Sequence, residues 1–218
     1  MSEGGPTEIV SIERGAAAVA RSALERVVTA GGVALFPADG LYGLACDPLN
    51  AAAISRIYRL KGRDDGKPSA VMYFSPLAMR ELVSELGAFS AAAVSALLPG
   101  PVTLVIANPG RRYPLACREH PERLGVRLLD GPLAGTMCPV FQTSANLSGE
   151  PPPARLTAVP PEIVAGLELV IEGGELTGMP STVVDISSIE DDGGWTVLRE
   201  GALSTGDLAS AMASVGLG

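Results

Sequence analysis

Eight short, largely apolar runs of five or six residues constrain the fold more than any other feature of this chain. They lie at 32–36, 69–74, 102–107, 124–129, 139–143, 167–171, 182–186 and 195–199. Most are bounded on at least one side by Gly, Pro, Asn or Asp, as buried strands are, and all are too short for buried helices. Between some of them the apolar spacing turns helical. Residues 14–30 read as a helix stopped by Gly31-Gly32, and Asn50 caps another that reaches about Leu60. Further helices are expected at 76–86, at 90–98 with Ser90 as cap, and at about 204–213, where Ser204 and Asp207 form a capping pair. Pro37 should stop the first strand and leave a loop to Pro48, residues 108–122 should be irregular, and a short helix should separate the strands at 124–129 and 139–143. Strands and helices do not strictly alternate, so an all-parallel sheet is excluded. The expectation is one α/β domain over residues 1–218, a twisted mixed parallel/antiparallel sheet flanked by helices.

Charge and cysteine usage narrow the function. The net charge is −8, yet residues 54–130 hold 11 Lys and Arg against 7 Asp and Glu. An acidic body is a poor non-specific nucleic-acid binder, whereas a basic middle suggests a local anion site. Arg111 and Arg112 read as solvated surface charge. Cys46, Cys117 and Cys138 are odd in number and far apart, and His120 is the only histidine. That speaks against a zinc site, a disulfide framework and a Ser–His–Asp set, and fits a reducing cytoplasm. No run of eighteen apolar residues is present, and the N-terminus lacks the basic and apolar regions of a signal peptide.

The stretch K-G-R-D-D-G-K-P-S at 61–69 invites comparison with a phosphate-binding P-loop and fails it. Only three residues separate Gly62 from Gly66, and Pro68, which has no N–H, follows Lys67. What remains is a cluster of cations, Lys61, Arg63 and Lys67, on a loop after a helix. Polar groups also gather where apolar runs stop, as site residues of α/β sheets do. Ser144, Asn146 and Ser148 suit a ribose, a carboxylate or a phosphate, and equally a turn that satisfies its own backbone. Ser181 enters a strand. Arg127 and Arg199 each interrupt an apolar strand, which points to a bound anion or to a salt bridge with Asp39 or Asp185. Together these groups suit a nucleoside triphosphate and a second small anion, handled by positioning and charge neutralisation.

The order of the motifs resembles the YrdC/TsaC family, the L-threonylcarbamoyladenylate synthases, over about residues 15–203. The residues that carry the resemblance are P-A-D-G-L-Y-G-L at 37–44, the set Lys61, Arg63, Lys67 and Pro68, and P-G-P-V-T at 99–103. L-G-V-R ending at Arg127, S-A-N-L-S-G at 144–149, P-S-T-V-V-D at 180–185 and L-R-E-G at 198–201 complete it. Ala38, Gly40, Ser69, Met72, Arg123, Gln142 and Pro152 depart from the family pattern. The resemblance implies a YrdC-like sheet around a basic cavity, and a reaction joining L-threonine, bicarbonate and ATP, carried with Mg²⁺, into threonylcarbamoyl-AMP and pyrophosphate. That product would serve N6-threonylcarbamoylation of tRNA adenosine 37 together with partner proteins. Lys61 and Arg63 would be catalytic, and Lys61, Arg63, Lys67, Ser144, Asn146 and Arg199 would bind ATP. Tyr42, Arg127, Gln142 and Ser181 would face threonine or bicarbonate, with no protein-held metal. Two rival readings are a non-catalytic paralogue that binds double-stranded RNA and a carbamoyl-adenylate enzyme with another substrate.

Overall fold

The tight turn at Asp39–Gly40 organises the centre of the fold in the computed structural model, which describes residues 7–12, 15–62 and 66–217. Strand β2 (Ala34–Ala38) does not stop at Pro37. It runs on, reverses through Asp39–Gly40 and returns as β3 (Leu41–Cys46), with Pro37 opposite Tyr42. Asp39 has φ 67°, the positive value a two-residue hairpin turn demands, and Asp-Gly is a dipeptide that supplies it. Proline is tolerated because the other neighbour of β2, strand β8 (Leu169–Glu172), pairs only with Ala34 and Leu35. Past Leu35 that edge of β2 has no ladder to break.

The remaining elements are β1 (Glu8–Ser11), α1 (Ala17–Thr29), α2 (Ala51–Lys61), β4 (Ala70–Tyr73), α3 (Pro76–Ser84), α4 (Ala88–Leu97), β5 (Val102–Ala107), α5 (Pro114–Cys117), β6 (Arg123–Leu128), β7 (Val140–Ser144), α6 (Pro161–Val164), β9 (Thr182–Asp185), α7 (Ile189–Asp192), β10 (Thr196–Arg199) and α8 (Thr205–Ser214). All ten strands join one sheet in the order β1-β8-β2-β3-β7-β4-β6-β5-β9-β10. Its ladders are mixed: β4 runs parallel to β6 and β5 to β9, while β3 and β4 flank β7 antiparallel. The expected α/β architecture is therefore present. Strands β1 and β3 and the single-turn helices α5, α6 and α7 are additions, and the helix expected between β6 and β7 is a series of turns.

One helix start differs for a clear reason. Helix α4 begins at Ala88 after Gly87, so Ser90 lies inside the first turn and is buried. The free N–H of Ser90 donates to Glu190 Oε1 at 2.6 Å, a carboxylate from α7. A Cβ on Gly87 would collide with that carboxylate. The cap is tertiary, and no local pattern announces it.

Alternation along the strands gives the sheet two unlike faces. On one, Leu35, Leu44, Val71, Leu104, Val126, Phe141 and Val184 form the large core beneath helices that include α2, α4 and α8. On the other, Ala34, Phe36, Ala45, Met72, Val140 and Ile171 meet Ala20, Leu24 and Val27 of α1. Helix α1 covers only part of this second face. The uncovered part carries the site.

Candidate active site

Register places the polar groups on that open face. Gln142 stands opposite Ala45 and Ala70, Ser144 opposite Gly43, Arg127 opposite Met72, and Thr103 opposite Val183. Together with Ala38, Tyr42, Pro68, Ser69, Ser181 and Arg199 they line one cavity of about 300 Å³. Six of the residues expected at the site thus share it: Tyr42, Arg127, Gln142, Ser144, Ser181 and Arg199. A second lobe of about 340 Å³ continues past Pro68, Ser69, Ala70, Thr103 and Val183. Its walls are mostly apolar, including Val105, Ala116, Gly125 and Leu198.

Arg127 is 5% exposed, and its guanidinium is ion-paired to Asp39 in the hairpin turn. Its Nε is buried without a partner. The salt-bridge reading of this arginine holds, with Asp39 as the partner, and the side chain also lines the cavity. Burial raises the Asp39 carboxyl above the usual range, with Arg127 opposing that shift. Arg199 donates to Ser181 O at 2.8 Å and to Ser181 Oγ at 3.2 Å, and that hydroxyl lies 2.9 Å from Thr103 Oγ1. The partner offered to Arg199 as an alternative, Asp185, instead binds Arg123 at 3.0 Å.

Lys61 is 3% exposed and meets the cavity only through its neighbours. Its ammonium donates to the carbonyls of Ser144 and Asn146 and to Asn146 Oδ1, and its own carbonyl accepts from Ser148 N. Asn146 donates from Nδ2 to Leu147 O and Glu150 O, each at 2.7 Å, while its Oδ1 accepts from Ser144 Oγ. These contacts make the S-A-N turn a self-satisfied structure riveted to the end of α2, and only Ser144 of the three lines the cavity. The Tyr42 hydroxyl is likewise engaged, donating to Gly174 O and accepting from Gly173 N, both at 2.9 Å. Lys67 is exposed beside Pro68. Arg63 lies outside the described residues.

Gln142 reaches over Gly43, where a Cβ would stand 2.8 Å from its Nε2. Gly40 leaves room for the main chain of Met179, and Gly178 N donates to Gly40 O at 2.9 Å. The space a side chain would take at Gly40 of the P-A-D-G motif is thereby filled by another segment of the chain. Thr103 was not singled out from the sequence, although it lies inside a quoted motif, and Asp39 was named only as a salt-bridge partner for the strand arginines. The basic middle is less bare than its charge count implies. Arg56, Arg112, Arg123 and Arg127 pair with Glu168, Glu85, Asp185 and Asp39. Burial pushes the Cys117 thiol up to about 11, and its Sγ is committed to Asn108 and the Arg112 carbonyl. A thiolate nucleophile is disfavoured there.

The family model for Sua5, YciO and YrdC, described as telomere recombination, matches residues 26–201. A threonylcarbamoyl-AMP synthase of Chromohalobacter salexigens is 34% identical over 167 residues, which covers 73% of this chain and 89% of that protein. One from Nitrosococcus oceani is 32% identical with the same coverage. Among solved structures, P. abyssi Sua5 in complex with L-threonine superposes with a TM-score of 0.80 at 26% identity, over 94% of this chain. This chain spans 61% of that protein's length. E. coli YciO superposes with a TM-score of 0.78 at 23% identity, over 93% of this chain and 100% of its own, a likeness of fold.

Proposed function

The chain belongs to the Sua5–YciO–YrdC family, and we infer that it is a threonylcarbamoyl-AMP synthase, condensing L-threonine, bicarbonate and ATP. The observation that carries this reading is a single cavity that joins Arg127, Gln142, Ser144, Ser181 and Arg199 and opens into an apolar lobe. The apolar lobe suits a nucleobase and the polar one a carboxylate and phosphates. Arg127 neutralises the threonine carboxylate or the carbamate made from its amine and bicarbonate with loss of water. A carbamate oxygen then bonds to the α-phosphorus as the bond to the departing pyrophosphate breaks. Arg199 and the Ser144 hydroxyl hold the phosphates in line, so the contribution is orientation and charge neutralisation, with no covalent enzyme intermediate. Lys61 acts in this scheme by holding the turn that presents Ser144.

Among the described residues no three metal-ligating side chains cluster, and the lining donors are hydroxyl and amide oxygens. That donor set fits Mg²⁺ arriving on the triphosphate, where it would offset phosphate charge. The product would pass to partner proteins that modify tRNA in the cytoplasm. No helix among the described residues is long and apolar enough to cross a membrane.

Pyrophosphate release tests the reading. It should require ATP, threonine and bicarbonate together, and fall at least 100-fold when Arg127 is replaced by Met, on the order expected for losing a charged contact at the reacting centre. Release without threonine would instead select a carbamoyl-adenylate enzyme with another substrate. Absence of turnover combined with salt-sensitive RNA binding would select an RNA-binding protein.

A further inference from the structure

We propose that Asp39, which stands outside the polar lobe behind Arg127, is a positioning residue that aims this arginine at the substrate anion. This rests on the reading just given. Among the described residues, Lys61 and Arg127 are the only charged side chains that are buried. The ammonium of Lys61 is spent on two backbone carbonyls and the Asn146 side chain. Arg127 is held differently. Its Nη2 donates to Asp39 Oδ2, its Nε is buried with no partner, and no further hydrogen bond of the guanidinium is found among the described residues. One carboxylate therefore grips the group at a single corner, and the residue lines the polar lobe.

Two local costs meet at Asp39. Its φ of 67° is one that glycine adopts more readily. Its carboxyl is raised by burial and by the nearby Asp130 carboxylate, with Arg127 as the opposing charge. The turn is pinned from its far side as well, where Gly178 N donates to Gly40 O at 2.9 Å. What this fixed tip achieves is reach. Strands β7 and β4 stand between β3 and β6, three interstrand steps or about 14 Å, and the ion pair crosses that interval. Asp39 itself lines a separate pocket of about 230 Å³ with Pro37, Asp130 and Gly173. No Asp or Glu lines the polar lobe, where Arg127 and Arg199 both stand, and Arg199 is close enough to depress the Arg127 guanidinium. Without a carboxylate behind it, a desolvated Arg127 would turn away from its fellow cation. Held by Asp39, it keeps the orientation in which it lines the lobe before any substrate arrives.

The experiment compares the wild type with Asp39→Asn, Arg127→Met and the double variant in pyrophosphate release, with thermal unfolding alongside. Asparagine tolerates the positive φ and keeps an oxygen for Nη2, so only the charge is removed. Asp39→Asn should raise the KM for threonine about tenfold, the weakening of one charge-assisted contact, and leave the KM for ATP within about twofold. In the Arg127→Met background the same change should alter release by less than about twofold, because Asp39 acts through the arginine alone. A threonine KM in Asp39→Asn close to that of the wild type overturns the proposal and leaves the function intact. So does a further large loss in the double variant, or an ATP KM that rises in parallel, since either marks a structural role. Asp39→Asn leaves an arginine buried without its carboxylate, and where that abolishes cooperative unfolding the double variant decides. Release equal to that of Arg127→Met then upholds the proposal, and lower release overturns it. A wild-type protein whose release needs no threonine overturns the function and the proposal together.

Discussion

Lys61 shows how far a side chain's identity can be read from a motif, and where that ends. A lysine after a helix and before a glycine looks like a phosphate ligand. Here its three protons go to the carbonyls of Ser144 and Asn146 and to the Asn146 side chain. Replacing it with Met keeps the stem and strands those buried acceptors. Lys61→Met should lower stability by about 3 kcal/mol, measured by urea denaturation, because each orphaned carbonyl loses its partner. Release of pyrophosphate should fall with it, as Ser144 loses its fixed position. Cys117 is the contrasting case. Its thiol is buried and raised to about 11 by desolvation. Cys117→Ala should keep near wild-type turnover between pH 6 and 9 (a range well below that value) at a cost of about 1 kcal/mol in stability. A large loss of turnover would give the thiol a catalytic role.

Elements were legible where their signals were local. Asn50 accepts from Ala53 N at 3.0 Å and Ser204 from Asp207 N at 3.1 Å, as their positions before apolar helical runs required. The hairpin of β2 and β3 was missed because proline was taken as a terminator while Asp39-Gly40, a strong short-range turn signal, went unweighed. The start of α4 could not be read at all, since its cap comes from Glu190, 100 residues away. That cap gives a test. Gly87→Ala and Glu190→Gln should each cost about 1–2 kcal/mol, and the double variant should cost clearly less than their sum. Strict additivity would show that Gly87 is not there to admit the carboxylate.

For the molecule as a whole, the cavity draws on the ends of β2, β3, β4, β5, β6, β7, β9 and β10, so a ligand bound there ties distant segments together. ATP at one hundred times its dissociation constant should stabilise the fold by about 2.7 kcal/mol and raise the thermal midpoint by about 5–10 °C. Arg199→Ala should remove most of that shift, and an undiminished shift would move the nucleotide elsewhere. Residue order alone was enough to settle the mixed α/β class, eight of the ten strand positions and the motif set, because short apolar runs, turn residues and helix caps act over a few neighbours. It could not settle which groups meet. Whether Arg127 met Asp39 or Asp185, whether Lys61 reached a carbonyl, and that Arg118 stacks on Tyr58 all depended on strand register and on α1 covering only part of a sheet face. Those are outcomes of packing between segments remote in the chain, and no local pattern encodes them.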